Sequence, residues 1–208
     1  MVQFIISPYN PEWPKQYESI ADDLEHDLKA FKVPFSNIEH VGSTSVPGLA
    51  AKSVLDIMIV IKQAIPFHDT ENGVTYPDKT HYALIFGERP GGYRCLGDGG
   101  VKGRWSFKLH REDLPARNLY VVVKDTIIYR SYLSLRETLR KPYYSELREE
   151  YAKVKLELAE REWADVMEYS TAKNKVVRKI LLTAGWTNEQ VDMKENGAVK
   201  GWFGAGQY

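Results

Sequence analysis

The chain has 208 residues, with 28 basic and 28 acidic side chains, so its formal net charge is zero. This balance predicts no general attraction to nucleic acid or to an anionic membrane surface. A single cysteine, Cys95, excludes a disulfide framework and a cysteine-based metal site. The N-terminal apolar run is too short for a signal peptide and no stretch has the length of a membrane span, so we expect an intracellular, cytoplasmic protein.

The N-terminal segment predicts a short strand followed by a long helix. Residues 3–7 favour a strand that the proline at position 8 ends. The run Asn10-Pro11-Glu12 is a favourable helix start, with asparagine as the cap and proline in the first helical position. Apolar residues then recur every three or four positions to about Phe31, as in an amphipathic helix.

The most informative stretch runs from Glu39 to Ile61. It predicts a short strand, a tight turn at Gly42-Ser43, a bend at Pro47-Gly48 and a second strand. Glycine permits a turn whose backbone N–H groups approach a phosphate closely. Residues 54–61 are almost entirely apolar and rich in β-branched side chains, which indicates a strand buried on both faces.

One acid, Asp56, interrupts this apolar strand. Burial of an unpaired carboxylate is costly, so Asp56 needs a partner. The partner is either a bound cation or a salt bridge, for example to Lys52 or to a helical arginine. A phosphate-sized turn followed thirteen residues later by a buried acid suggests a metal-assisted phosphate site.

The middle of the chain predicts the remaining strands. Residues 63–79 are polar and predict a loop or a short irregular helix, whereas 81–86 predict a strand. Seven glycines between 87 and 104 exclude a regular helix and favour a hairpin with a mobile loop. Residues 105–110 and 118–123 again have strand character, which together gives a mixed sheet with helices on one side.

The C-terminal part becomes helical from Ile128 onwards. Apolar residues recur at helical spacing through 130–185, and Gly185 is a favourable C-cap. The glycine-rich tail, residues 196–208, is either frayed or docked through its aromatic side chains.

Several segments resemble one known family. The run EHVGSTSVPGLAAKSVLDI, residues 39–57, closely resembles the signature of the GrpB family, and similar segments extend through most of the chain. These further segments are GGYR at 91–94, NLYVVV at 118–123, LRETLRKP at 135–142 and Tyr169-x-x-x-Lys173. The resemblance implies a nucleotidyltransferase-like fold in which a Gly-Ser turn holds nucleotide phosphates and acids on the next strand hold Mg²⁺. It implies no settled activity.

Pattern and resemblance together predict an α/β (α+β) protein. Residues 1–127 would form a nucleotidyltransferase-like mixed β-sheet with helices on one side. Residues 128–208 would form a C-terminal helical half packed on that sheet.

The acids expected for two-metal nucleotidyl transfer are incomplete. Asp56 matches the first metal ligand, but Met58 occupies the position where active members of the superfamily have a second acid, and 118–123 contains none. Glu39 and His40, beside the turn, are substitute candidates as ligand or proton carrier. The alternative for both is a hydrogen bond that pins the turn.

Phosphate ligands are predicted from the turn and from nearby basic residues. The candidate set is Gly42, Ser43, Thr44, Ser45, Lys52, Arg94, Arg104 and Lys173. Lys52 suits a phosphate as a point charge, and Lys173 resembles the basic residue that many nucleotidyltransferases direct at the triphosphate. Residues 88–117 carry seven basic and four acidic side chains, which indicates either a locally positive site or an ordinary solvated surface.

Other kinds of site are poorly supported. Ser43 lacks the context of a hydrolase triad, the five histidines lack metal-ligand spacing, and 87–104 is not a Walker loop.

Two hypotheses remain. In the first, the protein binds a nucleotide or phosphorylated small molecule, with Mg²⁺ at Asp56 and with Asp56 and Glu39 as catalytic residues of a nucleotidyl or phosphoryl transferase. In some GrpB relatives such a domain is fused to an enzyme of coenzyme A synthesis, which favours adenine-containing ligands.

In the second hypothesis the protein is a catalytically degenerate module for ligand sensing or protein interaction. The missing acids favour this reading, whereas the intact turn with Asp56 favours retained ligand binding.

Overall fold

The computed structural model describes residues 1–62, 67–69, 74–76, 92–98, 101 and 103–196. The predicted strand 81–86, most of the glycine-rich stretch and the tail beyond residue 196 lie outside these residues. The strands are β1 (Asn37–Val41), β2 (Leu55–Ile61), β3 (Phe67–Asp69), β4 (Val74–Tyr76), β5 (Arg94–Cys95), β6 (Arg104–Arg111) and β7 (Leu114–Val123). The helices are α1 (Trp13–Ala30), α2 (Ile127–Arg140), α3 (Ser145–Ala159), α4 (Val166–Ala172), α5 (Asn174–Thr183) and α6 (Asn188–Asn196).

The predicted N-terminal helix is confirmed as α1. The predicted cap is wrong, because the N-cap residue is Glu12; the side-chain oxygen of Asn10 instead accepts a hydrogen bond from the backbone N–H of Glu12 at 2.9 Å, in the turn before the helix. The helix itself begins at Trp13, two residues later than Pro11, and has Pro14 in its first turn. Leu28 is fully buried, and burial of a side chain of this size stabilises the fold by about 2 kcal/mol.

The predicted strand at residues 3–7 is wrong. Residues 1–7 make two isolated bridges, one from Val2 to Trp163 and one from Ser7 to Ala51, and only the second lies within the predicted strand. The two bridges involve different parts of the chain, so no continuous ladder forms. The bridges instead join the N-terminus to the segment between α3 and α4 and to the loop before β2.

Five strands form one mixed sheet in the order β1-β2-β7-β6-β5. The pair β2–β7 is parallel and the other three pairs are antiparallel. The strands β3 and β4 form a separate antiparallel pair, so the predicted loop or irregular helix at 63–79 is wrong for its described parts. The predicted fold class is confirmed.

Helices pack on both faces of the sheet. On one face, α1 contacts inward side chains of β2 and β7 such as Ile57 and Leu119. On the other face, Met58 and Val122 pack against the first residues of α2. These pairs alternate along the strands, as expected for a sheet buried on both sides.

The C-terminal helices also cover the loop between β1 and β2. Val46 and Leu49 from this loop are fully buried in a cluster with residues of α2, α3 and α5. The loop therefore lies between the sheet and the helical part of the chain. The helical prediction for 130–185 is confirmed, and Gly185 has the expected positive φ of 94°.

Three further findings concern the helices. The helix α6 was not predicted, because its sequence is mostly polar and only Val191 is buried. The division into halves at residue 127 stays a prediction, although α2 does begin there. Among the described residues, no helix combines the length and apolarity required to cross a membrane.

Candidate phosphate site

The predicted turn after β1 brings its backbone directly against Asp56. Gly42 has a φ of 70° and a ψ of −170°, a conformation almost restricted to glycine. A Cβ atom at this position would lie 2.9 Å from the Cβ of Asp56 and closer still to its Oδ2. Glycine is therefore required here both by the backbone conformation and by the close approach of the acid.

The Asp56 carboxylate is held by two neutral donors from β7. Its Oδ1 accepts hydrogen bonds from Asn118 Nδ2 and from the Tyr120 hydroxyl, each at 2.9 Å. Parallel pairing sets Asp56 opposite Asn118 and Met58 opposite Tyr120, which explains why these side chains share a face. Within the described residues, none of the ion pairs involves Asp56, so these hydrogen bonds offset its burial in place of the salt bridge considered above.

Arg104 contacts two tyrosines, Tyr120 and Tyr132. Its guanidinium is 4.4 Å from the centre of the Tyr120 ring, and it donates hydrogen bonds to the Tyr132 hydroxyl and to the Asp98 carbonyl. Tyr120 and Tyr132 stack with their ring centres 5.4 Å apart. Burial, followed by the charge of Asp56, raises the pKa of Tyr120 well above 10, so its hydroxyl remains a donor to the acid. Arg104 thus packs against Tyr120, the tyrosine that holds Asp56.

Glu39 forms an ion pair with an arginine of α2. Its Oε2 lies 2.7 Å from Arg136 Nη1, and its Oε1 accepts from Asn37 Nδ2 at 2.6 Å. Arg136 also donates to the His40 carbonyl at 2.8 Å. Both carboxylate oxygens of Glu39 therefore have protein partners, and its predicted catalytic role stays a prediction.

His40 pins the turn from the other side of β1. Its ring stacks on Tyr17 at 4.7 Å between centres, and its Nε2 lies 3.0 Å from the Thr44 hydroxyl oxygen. Burial, together with the charges of Arg140 and Arg136, lowers the pKa of His40 to about 4. At neutral pH the ring is therefore uncharged and acts as a hydrogen-bonding partner of Thr44.

The second half of the turn is also closed internally. The Ser45 hydroxyl donates to the Gly42 carbonyl at 2.7 Å. Arg140 donates to the Ser45 carbonyl from two nitrogens, at 3.0 and 2.8 Å. The hydroxyl of Thr44 is thus engaged by His40, and that of Ser45 by the Gly42 carbonyl.

Ser43 faces helix α3 through Tyr151. Burial raises the pKa of the Tyr151 hydroxyl, and a hydrogen bond with Ser43 partly offsets this. The backbone bonds that close the turn are donated by Ser45 and Val46, so the N–H groups of Ser43 and Thr44 are not consumed by the turn itself.

Three lysines gather on this side of the turn. Lys52 Nζ lies 4.1 Å from the centre of the Phe4 ring and 4.7 Å from that of Tyr169, and Lys173 Nζ lies 4.5 Å from the same Tyr169 ring. Lys155 donates to the Ala50 carbonyl. Burial and the neighbouring lysines lower the pKa of Lys155 to about 7 and that of Lys173 to about 8.

Lys155, Tyr151 and Tyr169 were not predicted as site residues. Lys155 does have a recognisable signal in the sequence, because it follows Leu147 and Tyr151 at a spacing of four residues on the apolar face of α3. That face is buried in the structure and Lys155 is only 3 % exposed. A lysine within an apolar stripe is rare unless a partner compensates its charge.

Arg94 is not brought to the turn. It is exposed on the edge strand β5, opposite Lys108, which in turn pairs with Asn118. Arg94 therefore shares the cross-sheet row of Asp56 but lies three strands away, roughly 14 Å at the usual strand spacing. The row is a track of polar side chains that begins at Asp56.

The donor set does not fit a two-metal centre. No group of three histidine, cysteine or acidic side chains able to hold a metal occurs in the described part of the chain. Met58, Asn118 and Tyr120 surround Asp56 where further acids would be needed. Of these four residues only Asp56 offers a carboxylate, and Mg²⁺ held by one carboxylate takes its other ligands from water and phosphate.

The fold is of the nucleotidyltransferase-like type expected from the sequence. The architecture matches a chain in the structure of the GLD-2/RNP-8 complex with a TM-score of 0.51 and 16% identity, over 81% of this chain and 51% of that one. At this identity the match shows the fold alone.

The sequence profile of the GrpB protein family matches residues 3–182, and the chain belongs to that family. A relative in Halalkalibacterium halodurans, UPF0157 protein BH1888, is 35% identical over 184 residues, which is 86% of this chain and 81% of the relative. The crystal structure of the conserved protein GrpB from Enterococcus faecalis matches with a TM-score of 0.66 and 26% identity, over 86% of this chain and 96% of that one. The resemblance predicted from the sequence is confirmed.

Proposed function

We propose that this protein binds a nucleotide or another phosphorylated small molecule at the turn Gly42–Ser45, between the sheet and the helical part. The supporting observation is the approach of the Gly42 backbone to Asp56, which fixes the turn where Ser43 meets Tyr151. Ser43 and the turn's unconsumed N–H groups hold the phosphate, as backbone nests do for anions. Lys52 and Lys173 neutralise its charge.

The proposal for Mg²⁺ is limited to its binding. Asp56 is the residue we assign to Mg²⁺, and no reaction step is assigned to that ion because the donor set does not fit a two-metal centre. If the protein is an enzyme, nucleotidyl or phosphoryl transfer is the class to test. Adenine-containing compounds, including coenzyme A precursors, are the first candidate ligands.

A second candidate function is a non-catalytic module that senses a ligand or binds a partner. The observation that favours it is that the strand neighbours of Asp56 are Met58, Asn118 and Tyr120, none of them an acid. In this case the ligand would bind at the same turn without being converted.

A thermal-shift panel of nucleotides and coenzyme A precursors, with and without Mg²⁺, tests both proposals. A ligand at a hundred times its dissociation constant stabilises by about 2.7 kcal/mol, which raises the melting temperature by several degrees. We expect Ser43→Ala to reduce the shift, Asp56→Asn to remove its Mg²⁺-dependent part and Ser19→Ala, at an exposed position on α1, to leave it unchanged.

The outcomes separate the two functions. Conversion of a stabilising ligand into products supports the transferase, and stabilisation without any turnover supports the module. If no phosphate compound shifts the wild-type melting temperature, phosphate binding at the turn is refuted.

A further inference from the structure

One buried hydroxyl beside the turn has no hydrogen-bonding partner. Tyr169, on α4, is fully buried, and its hydroxyl oxygen makes no hydrogen bond to any described residue. Burial and the nearby Tyr151 raise the pKa of Tyr169 to about 12, so the group is a protonated donor at neutral pH. An unpaired buried donor is destabilising, and such groups occur where a ligand or water completes the site.

The same tyrosine lies under two of the three ammonium groups. Lys52 and Lys173 both approach its ring, and their charges lower the pKa of Lys155. Among the described residues, none of these lysines takes part in an ion pair. The acid whose charge acts on Lys52 and Lys173 is Asp56. A concentration of like charge without matching acids is unfavourable in an empty site, and a bound anion would relieve it.

We propose that Lys52, Lys155, Lys173 and the Tyr169 hydroxyl bind the linked phosphoryl groups of a polyphosphate compound directly, so that its binding does not require a divalent metal ion. This inference rests on the phosphate-binding function proposed above and specifies the ligand as one with at least two linked phosphates. Inorganic tripolyphosphate and nucleoside triphosphates share this chemistry.

The balance of charges is the physical reason. A di- or triphosphate carries several negative charges, which a metal ion or clustered cations must neutralise before the compound can leave water. Three lysine side chains, of which Lys52 and Lys173 interact with the charge of Asp56, provide that neutralisation from the protein. All three lysines also lie on aromatic faces, which excludes water and strengthens charge interactions there.

Proton uptake provides an additional signature. An anion next to Lys155 favours its charged form and raises its pKa from about 7. Binding at pH 8 would therefore take up a proton. Calorimetric titrations in two buffers with different ionisation enthalpies measure that uptake directly.

Titration calorimetry with inorganic tripolyphosphate tests the proposal. We expect wild-type protein to bind it in excess EDTA with a dissociation constant within about threefold of that measured with Mg²⁺. Tyr169→Phe removes one oxygen atom and should weaken binding at least about fivefold, since a hydrogen bond to a charged group is lost. Lys155→Met should weaken binding and reduce proton uptake to the part contributed by Lys173, whereas Lys175→Met, at an exposed position of α5, should do neither.

Each alternative result has a defined meaning. Binding that occurs only with Mg²⁺ would overturn this inference and leave the proposed function intact. Absence of binding to every phosphate compound, with and without Mg²⁺, would overturn both. Wild-type affinity in Tyr169→Phe would show that the ligand does not reach this hydroxyl. Because Tyr169→Phe leaves no cavity, it tests the site even if Lys155→Met does not fold.

Discussion

Two groups of cationic side chains lie near the same turn, and one makes hydrogen bonds to oxygen acceptors whereas the other contacts aromatic rings. On one side, the guanidinium groups of Arg136 and Arg140 donate to the carboxylate of Glu39 and to the carbonyls of His40 and Ser45. We call this the arginine side. On the other side, the ammonium groups of Lys52, Lys155 and Lys173 lie over aromatic rings, and we call this the lysine side.

The difference indicates separate roles for the two sides. On the arginine side the planar guanidinium groups meet fixed acceptors, which is the arrangement of a structural clamp. On the lysine side the charges are desolvated and act on one another, and one hydroxyl stays unpaired. Unfavourable charge repulsion and an unpaired buried hydroxyl are typical of a site that is completed by its ligand.

Removal of the clamp should give the largest loss of stability. Arg136→Met leaves the half-buried Glu39 carboxylate and the His40 carbonyl without their donor. We expect the free energy of unfolding to fall by about 2 to 3 kcal/mol, measured by urea denaturation. Arg130→Met, at an exposed position of the same helix, should change it by less than about 0.5 kcal/mol.

Equal stability of the two variants would contradict the assignment of Arg136 to a structural clamp. A large change in both would indicate a general effect on α2. The comparison between the two sides holds only if Arg136→Met is selectively destabilising.

The lysine side should make stability rise with pH above neutrality. Lys155 has a pKa of about 7 in the folded protein and about 10.5 when unfolded, so the unfolded chain binds more protons between these values. The free energy of unfolding therefore increases with pH in that window. Lys173, with a pKa of about 8, acts in the same direction.

Urea denaturation of wild type and Lys155→Met at pH 7, 8 and 9 measures this effect. We expect an increase on the order of 1 kcal/mol in wild type and a smaller one in the variant. Identical pH profiles would show that Lys155 is not desolvated in the folded protein.

Local pattern was sufficient to predict the central part of the site. The positions of β1, the turn and β2 follow from glycine, proline and an apolar run, and the Gly42 backbone lies against the Asp56 side chain. The family resemblance added the fold, because it covers segments from both the sheet and the helical part.

Tertiary partners were beyond local pattern. Asn118 and Tyr120 reach Asp56 from 62 and 64 residues away, and only the strand register shows that they face it. Tyr169 looks like an ordinary core aromatic until its unpaired hydroxyl is seen. Lys155 was detectable in principle, since it interrupts an apolar stripe, but the lysines around it come from two other segments.

Arg94 was included among the site residues although the fold places it elsewhere. A basic, glycine-rich stretch predicted it as a phosphate ligand, yet its strand is at the edge of the sheet, three strands from β2. The density of basic residues along the sequence does not determine their distance from Asp56, because β5 and β2 are separated by β6 and β7 in the sheet.

The smallest expected effect is also the most informative about the lysine side. Lys173→Met keeps the length of the side chain and removes a desolvated charge that Lys52 repels. Replacement of such a charge by an apolar group is often stabilising, so we expect a gain of about 0.5 kcal/mol together with weaker tripolyphosphate binding. Arg136→Met should instead lose stability. A stabilising substitution that impairs binding identifies a residue kept for its ligand rather than for the fold, whereas a loss of stability in Lys173→Met would place this lysine with the arginine clamp.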